Sequence, residues 1–299
     1  MSTLAPLPER AGAYRWYYAD VGCGDVSAVV IFLVGSLFSP RYAARPRALP
    51  LEHCAVNFAL YAGGRRRQWV LTEYPTATQS GGVLSIGRSS LRVCADGTVE
   101  IDLRERLAPF GAETAAEMVL RPVAPGLGAV PLLPDGSHLW EPRAPRCEAE
   151  LHLPLLGHVL QGHGYHDANA GDSPLGSTLP SWSWTRVHAP DRTAIDFRLP
   201  AGERLTVCTD ARGTSLRRDL APGPDGVSTS WGLRVPRTLS AGGLDVPAPD
   251  LVESSPFYAR LVARSGGLDA IGEVADFRRF RSPLVRWMAH FRTRLERAA

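Results

Sequence analysis

Leu91-Arg92-Val93-Cys94-Ala95-Asp96-Gly97-Thr98-Val99-Glu100-Ile101-Asp102-Leu103 is a β-hairpin written out in full. Two extended stretches flank Asp96-Gly97-Thr98. An Asp-Gly pair in that setting signals a tight turn, because glycine accepts the positive φ such turns demand. The same pattern of short β-branched or aromatic stretches recurs at Ser27 to Val34, Cys54 to Tyr61, Gln68 to Tyr74 and Ala149 to Leu153, with Gly, Pro, Asp and Asn between them. Spacings of roughly ten residues broken by turn signals predict an all-β sandwich or barrel rather than βαβ units.

The 299 residues are 44% hydrophobic, enough for two modest domains or one large β architecture. Pro122 to Pro134 and Leu220 to Asp225 read as loops. A domain boundary is expected near residue 150, giving β domains over 1–150 and 151–283 and a basic amphipathic helix over 284–299. In that last stretch Leu284, Met288, Phe291 and Leu295 share one helical face, with Arg286, Arg292, Arg294 and Arg297 elsewhere. Such a helix either docks on the barrel or attaches to an anionic membrane surface.

Charge narrows the function classes. The basic complement is entirely arginine, and 33 basic against 30 acidic residues leave a net charge of only +3, so nucleic acid is not expected as a partner. Five scattered cysteines without a CxxC pair fit a reducing cytoplasm better than a disulfide framework or a zinc knuckle. Met1 to Ala13 does not read as a signal peptide. The apolar run Val26 to Phe38 is too short to span a bilayer and reads as a buried strand. No P-loop, Rossmann glycine fingerprint or HExxH is present, so no nucleotide, redox or metal cofactor is expected.

The densest polar and aromatic cluster is Gly162-His163-Gly164-Tyr165-His166-Asp167-Ala168-Asn169-Ala170-Gly171-Asp172. Pro180-Ser181-Trp182-Ser183-Trp184-Thr185-Arg186 follows, and Gly136-Ser137-His138-Leu139-Trp140 precedes it. On extended backbone His138 and Trp140 share a face, as do Tyr165 and Asp167, so two acid/base candidates and two aromatics converge on one pocket. Taken alone, Asp167 also suits a turn, and the tryptophans also suit a core. His158, His163, His166 and Asp167 match no standard ligand spacing, and no metal is expected.

With these residues in view the chain resembles the bacterial carotenoid 1,2-hydratases, also called hydroxyneurosporene synthases. The resemblance rests on Trp16-Tyr17-Tyr18, Phe32 through Pro40, His53-Cys54-Ala55-Val56-Asn57, His138-Leu139-Trp140, Gly164 through Asn169, Trp182-Ser183-Trp184, Pro256-Phe257-Tyr258 and Phe280-Arg281-Ser282-Pro283, in the family's order over nearly the whole chain. It implies a tandem lipocalin-like β fold with the pocket near the junction of its halves. It also implies cofactor-free addition of water to the terminal C1–C2 double bond of an acyclic carotenoid such as neurosporene or lycopene. The implied catalytic set is Asp167, His138, Tyr165 and Trp140, with Trp182, Trp184, Asn169 and His166 as substrate-binding candidates. His166 stands where phenylalanine is common and Ser183 where aspartate is frequent, departures that bear on substrate preference. The implied location is cytoplasmic, peripheral to the inner photosynthetic membrane.

The chemistry explains the residue types. An unactivated alkene accepts water only after protonation at C2, which leaves a tertiary cation on C1. An aspartic acid with an ordinary pKa of about 3.9 is only about 0.1% protonated at pH 7. Burial must therefore raise Asp167, and a value near 7 disfavours its ionised form by about 4 kcal/mol. An indole face stabilises the cation by about 2 kcal/mol when desolvated without trapping it covalently. On this reading that face is Trp140, while His138 and Tyr165 orient the acid and handle water. A non-catalytic lipocalin-like terpenoid carrier and an isoprenoid cyclase are the competing functions.

Overall fold

The structure, a computed structural model, describes residues 4–45, 47–108, 111–223 and 225–296. Its first half is built from β1 (Tyr14–Cys23), β2 (Val26–Val34), a short helix α1 (Pro40–Ala44), β3 (Cys54–Ala62), β4 (Arg65–Tyr74), β5 (Thr78–Ser80), β6 (Val83–Ile86), β7 (Ser89–Val93), β8 (Val99–Arg106), β9 (Glu113–Pro122), β10 (Val130–Pro131), β11 (His138–Leu153) and β12 (His158–Gly171). These strands form one antiparallel sheet in the order β4-β3-β2-β1-β12-β11-β9-β8-β7-β6-β5, with β10 paired to β11. The Asp-Gly hairpin forms as expected, β7 pairing β8 with Val93 opposite Val99.

A second sheet holds β13 (Ser181–His188), β14 (Thr193–Arg198), β15 (Glu203–Asp210) and β16 (Gly213–Leu220). Two small ribbons, β17 (Gly226–Ser228) with β18 (Arg234–Pro236) and β19 (Thr238–Ala241) with β20 (Leu244–Pro247), lead to β21 (Asp250–Ser254), β22 (Tyr258–Ser265) and β23 (Leu268–Asp276). Its order is β16-β15-β14-β13-β23-β22-β21, so β23 returns beside β13. The changeover between sheets falls between Gly171 and Ser181, later than the boundary expected near 150, because β11 and β12 are both long strands of the first sheet.

The alternation of side chains explains how the halves meet. On β1 and β2, Tyr17, Ala19, Val21, Val30 and Phe32 fill the hollow of the first sheet, while Tyr18, Val29, Ile31 and Leu33 turn the other way, into a core shared with the second sheet. A strand buried on both faces reads as an unbroken apolar run, which accounts for Val26 to Phe38. The first sheet curls until β4 meets β8 and β9. Tyr74 donates to Glu105 at 3.0 Å, and the Thr114 hydroxyl bonds the Gln68 amide oxygen at 2.8 Å.

Between the sheets, Arg186 on β13 is fully buried, with Asp20 of β1 at 2.5 Å and Asp269 of β23 at 2.7 Å. Removing Arg186 would strand the fully buried Asp20 carboxyl group, so this pairing ties the two sheets together.

The terminal helix is shorter than the expected 284–299. Helix α2 spans Pro283–His290, after which the chain turns and Arg294–Leu295 form β24, parallel to the outer edge of β4. Leu295 therefore leaves the helical face predicted for it, and Arg297 lies outside the described residues. Among the described residues no helix is long and apolar enough to cross a membrane.

Candidate active site

Strand β12 carries Tyr165, Asp167 and Asn169 on the face toward the second sheet. Its neighbours set what they meet: β11 places Trp140 opposite Asn169, and β1 places Tyr18 opposite Asp167. Asp167 stands mid-strand, which disposes of a turn-forming role.

Three donors converge on its carboxyl group. Oδ2 accepts the Tyr165 hydroxyl at 2.6 Å and the Trp140 indole N–H at 2.9 Å, and Oδ1 accepts the Asn169 amide at 3.3 Å. These bonds favour the ionised form, but burial outweighs them. Asp167 is 4% exposed and its pKa is pushed up to about 7, with the charges of Glu273 and Asp20 adding to the rise. Burial also holds the Tyr165 phenol far above its ordinary range, so it remains a donor.

Asp167 borders a hollow of about 470 Å³, mouth included, between the two sheets. Trp16, Tyr18, Ile31 and Leu33 line it from the first sheet, while Trp182, Trp184, Phe197 and Tyr258 line it from the second, with Asn169 and Glu273 as further polar residues. Trp184 packs 5.2 Å from the Tyr165 ring, and Trp182 stacks on Phe277 at 5.1 Å. A neighbouring hollow of about 440 Å³ shares Phe38 and Tyr258 with the first and reaches Ala289 of α2.

Of the eight residues singled out from the sequence, Asp167, Tyr165, Trp140 and Asn169 form one hydrogen-bonded group, and Trp182 and Trp184 wall the hollow beside it. Trp140 presents its N–H edge to Asp167; the indoles that border the hollow are Trp16, Trp182 and Trp184.

His138 stands one step away. Its Nδ1 is 2.7 Å from the Tyr14 hydroxyl and its Nε2 is 2.5 Å from the Thr178 hydroxyl, and burial lowers its pKa despite the opposing charges of Asp135 and Asp172. Tyr14 in turn stacks on Trp16 at 4.9 Å, which links His138 to the wall of the hollow.

His166 does not join the site. A strand period of two sends it to the opposite face, into the first sheet's core, where its Nδ1 lies 2.8 Å from the Tyr18 carbonyl. Burial and the Arg143 charge push its pKa down to about 3, so it is neutral. Its expected substrate contact is corrected accordingly.

Sequence reasoning missed Tyr14, Thr178 and Glu273. Tyr14 adjoins a stretch that carried the family resemblance, but nothing local marks Glu273. Only the pairing of β23 with β13, which sets Glu273 opposite Trp184, brings it to the hollow. Among the described residues no group of three or more His, Cys, Asp or Glu is placed to hold a metal ion.

Comparison with known proteins bears on the fold and the family. Two solved structures share the fold at 12% identity: an AttH-type protein of Nitrosomonas europaea, with TM-score 0.59 over 90% of this chain and 93% of that one, and CghA bound to Sch210972, with TM-score 0.53 over 92% and 94%. The acyclic carotenoid 1,2-hydratase of Thiocapsa roseopersicina is 35% identical, covering 94% of this chain and 73% of its own length. That of Cereibacter sphaeroides is 30% identical, covering 86% and 94%. The model of the carotenoid hydratase family CrtC matches residues 30–298, and with relatives this extensive the chain belongs to that family.

Proposed function

We propose that this protein is a hydro-lyase that hydrates acyclic carotenoids, with Asp167 as the acid that protonates C2 of the terminal C1–C2 double bond. The observation that carries the reading is a carboxyl group with a pKa near 7, sealed among aromatic side chains and fixed by Tyr165 and Trp140. A buried acid of this kind is about half protonated near pH 7 and still acidic enough to donate.

Both strong donors fall on Oδ2, which leaves Oδ1 to carry the proton. Transfer from Oδ1 to C2 leaves a tertiary cation on C1, and water then adds to C1 and loses a proton, giving the 1-hydroxy carotenoid. Trp182 and Trp184, which border the hollow, supply the cation-stabilising indole surface. His138, held by Tyr14 and Thr178, positions the wall through Trp16.

Neurosporene and lycopene carry the required end group. Their rod shape and insolubility call for uptake from a bilayer, and α2 supports such docking. Leu284, Trp287 and Phe291 are 62%, 58% and 72% exposed, while Arg278 and Arg281 lie exposed just before the helix. Aromatic residues beside basic ones suit an anionic lipid surface. Beneath that exposed face, Ala289, Arg292 and Thr293 line the hollow that adjoins the Asp167 site, a path for the carotenoid end group.

Incubation with lycopene or neurosporene in liposomes tests the reading. Products heavier by one water support hydration. Product of unchanged mass would indicate cyclisation, and binding without product would indicate a carrier.

A further inference from the structure

We infer that Glu273 is the second catalytic carboxylate of this site, holding the attacking water and accepting its proton while Asp167 supplies the proton to the alkene. The inference rests on the Asp167 reading above and assigns the half of the reaction which that reading leaves open.

Glu273 and Asp167 border the same hollow from opposite sheets. Arg260, itself 1% exposed, contacts Glu273 Oε1 through Nε at 3.0 Å and through its terminal NH2 group at 2.9 Å. Both contacts fall on Oε1, so Oε2 is the oxygen open to a water. Arg260 is anchored behind the site by Glu253 at 2.8 Å and by the Tyr61 hydroxyl at 2.7 Å. The cation thus holds Glu273 from behind without lining the hollow itself.

The surroundings are prepared for a small polar guest. Side chains that line the hollow carry buried polar atoms with no hydrogen-bond partner in the protein, among them the Trp184 indole nitrogen, the Tyr18 and Tyr258 hydroxyls and the Asn169 amide oxygen. Buried polar atoms are rarely left unpaired, and a water with two to four such partners is the usual way to satisfy them. Donors and an acceptor on the wall next to the Glu273 carboxyl group, facing an aromatic surface, describe a water-holding pocket beside a developing cation.

The two carboxyl groups then divide the chemistry as paired carboxyls do when their environments differ. Asp167 loses its proton to C2 as the π bond breaks. The water oxygen forms its bond to C1, and one water proton passes to Glu273 Oε2. Alkene and water have become tertiary alcohol, Asp167 is ionised and Glu273 protonated. Return of that proton from Glu273 to Asp167, through water in the hollow, restores the enzyme with nothing consumed. Before capture, the negative charge of Glu273 also stabilises the C1 cation.

The test is a kinetic comparison of Glu273→Gln, Glu273→Asp and Asp167→Asn on lycopene in liposomes, with folding checked by circular dichroism. Removal of a general base costs roughly 10²-fold or more. Glu273→Gln is therefore expected to lower kcat about 100-fold with KM within about threefold of the parent, and Glu273→Asp, which keeps the charge but shortens the reach, to fall between them. A kcat at the parent level in either variant, or a raised KM with kcat unchanged, would overturn the assignment. The Asp167→Asn arm separates the two claims: an inactive Asn variant beside a fully active Gln variant rejects Glu273 alone, whereas an active Asn variant rejects the acid on which it depends.

Discussion

Tyr165 and Asp167 stand two residues apart on one face of β12, and the phenol of the first donates to Oδ2 of the second at 2.6 Å. The bond lies at the boundary between two sheets, where it orients the carboxyl group while burial strengthens its hold on the proton. A donor that favours ionisation thus coexists with an environment that opposes it more strongly.

The first consequence is a pH profile. Because the active form carries the proton, kcat/KM should hold below a pKa of about 7 and fall tenfold per pH unit above it. Initial rates across pH 5–9 in liposomes measure this, and activity that rises through pH 8 would refute an acid of this pKa.

Trp140 tunes that profile. Its N–H bond to Asp167 lowers the carboxyl pKa, so Trp140→Phe should move the falling limb to higher pH and reduce the plateau by about tenfold through lost orientation. A limb displaced to lower pH would assign Trp140 a different role.

Stability responds to the same group. The folded value of about 7 exceeds the ordinary value of about 3.9, so between those limits the native state binds more protons than the unfolded chain. Stability contributed by this group therefore falls as pH rises through that window, by about 4 kcal/mol in all. Asp167→Asn removes the fall. In urea unfolding, the stability of the variant relative to the parent should grow from pH 4 to pH 7 and then level off. His166, whose folded pKa of about 3 gives the opposite slope, is present in both proteins and cancels in the difference.

Gly171 is required by its neighbours. A Cβ there would lie 2.4 Å from the Tyr14 ring and 2.7 Å from His138 Nδ1, so Gly171→Ala must displace the pair that backs Trp16. Overpacking of this kind costs about 1–3 kcal/mol. Thermal melting should show a lower Tm together with reduced turnover; an unchanged Tm would mean the pair moves freely.

Helix α2 offers a separable test of docking. Trp287→Glu with Phe291→Glu should release the protein from anionic vesicles in a flotation assay while leaving its circular dichroism intact, since both rings are exposed. Retained binding would place attachment elsewhere.

Much of this architecture was legible in the chain. The strand positions from Ser27 to Leu103 follow from alternating side chains and turn residues, and the grouping of Trp140, Tyr165 and Asp167 follows from a two-residue period once the strands are assigned. What was hidden depends on long-range pairing. The changeover after Gly171 reflects the length of β11 and β12, the end of α2 at His290 reflects the pairing of Arg294 with Thr72, and Glu273 reaches the hollow only because β23 returns beside β13. His166 was misassigned because its neighbours, and not its own face of the strand, suggested its role.

A neutral Asp167 is the claim on which the rest depends, and infrared difference spectroscopy of the parent against Asp167→Asn observes it directly. The account predicts a protonated-carboxyl C=O band at pH 6 that is absent from the variant and that disappears from the parent with a midpoint near pH 7. A parent spectrum at pH 6 with only the carboxylate bands for this residue would contradict it.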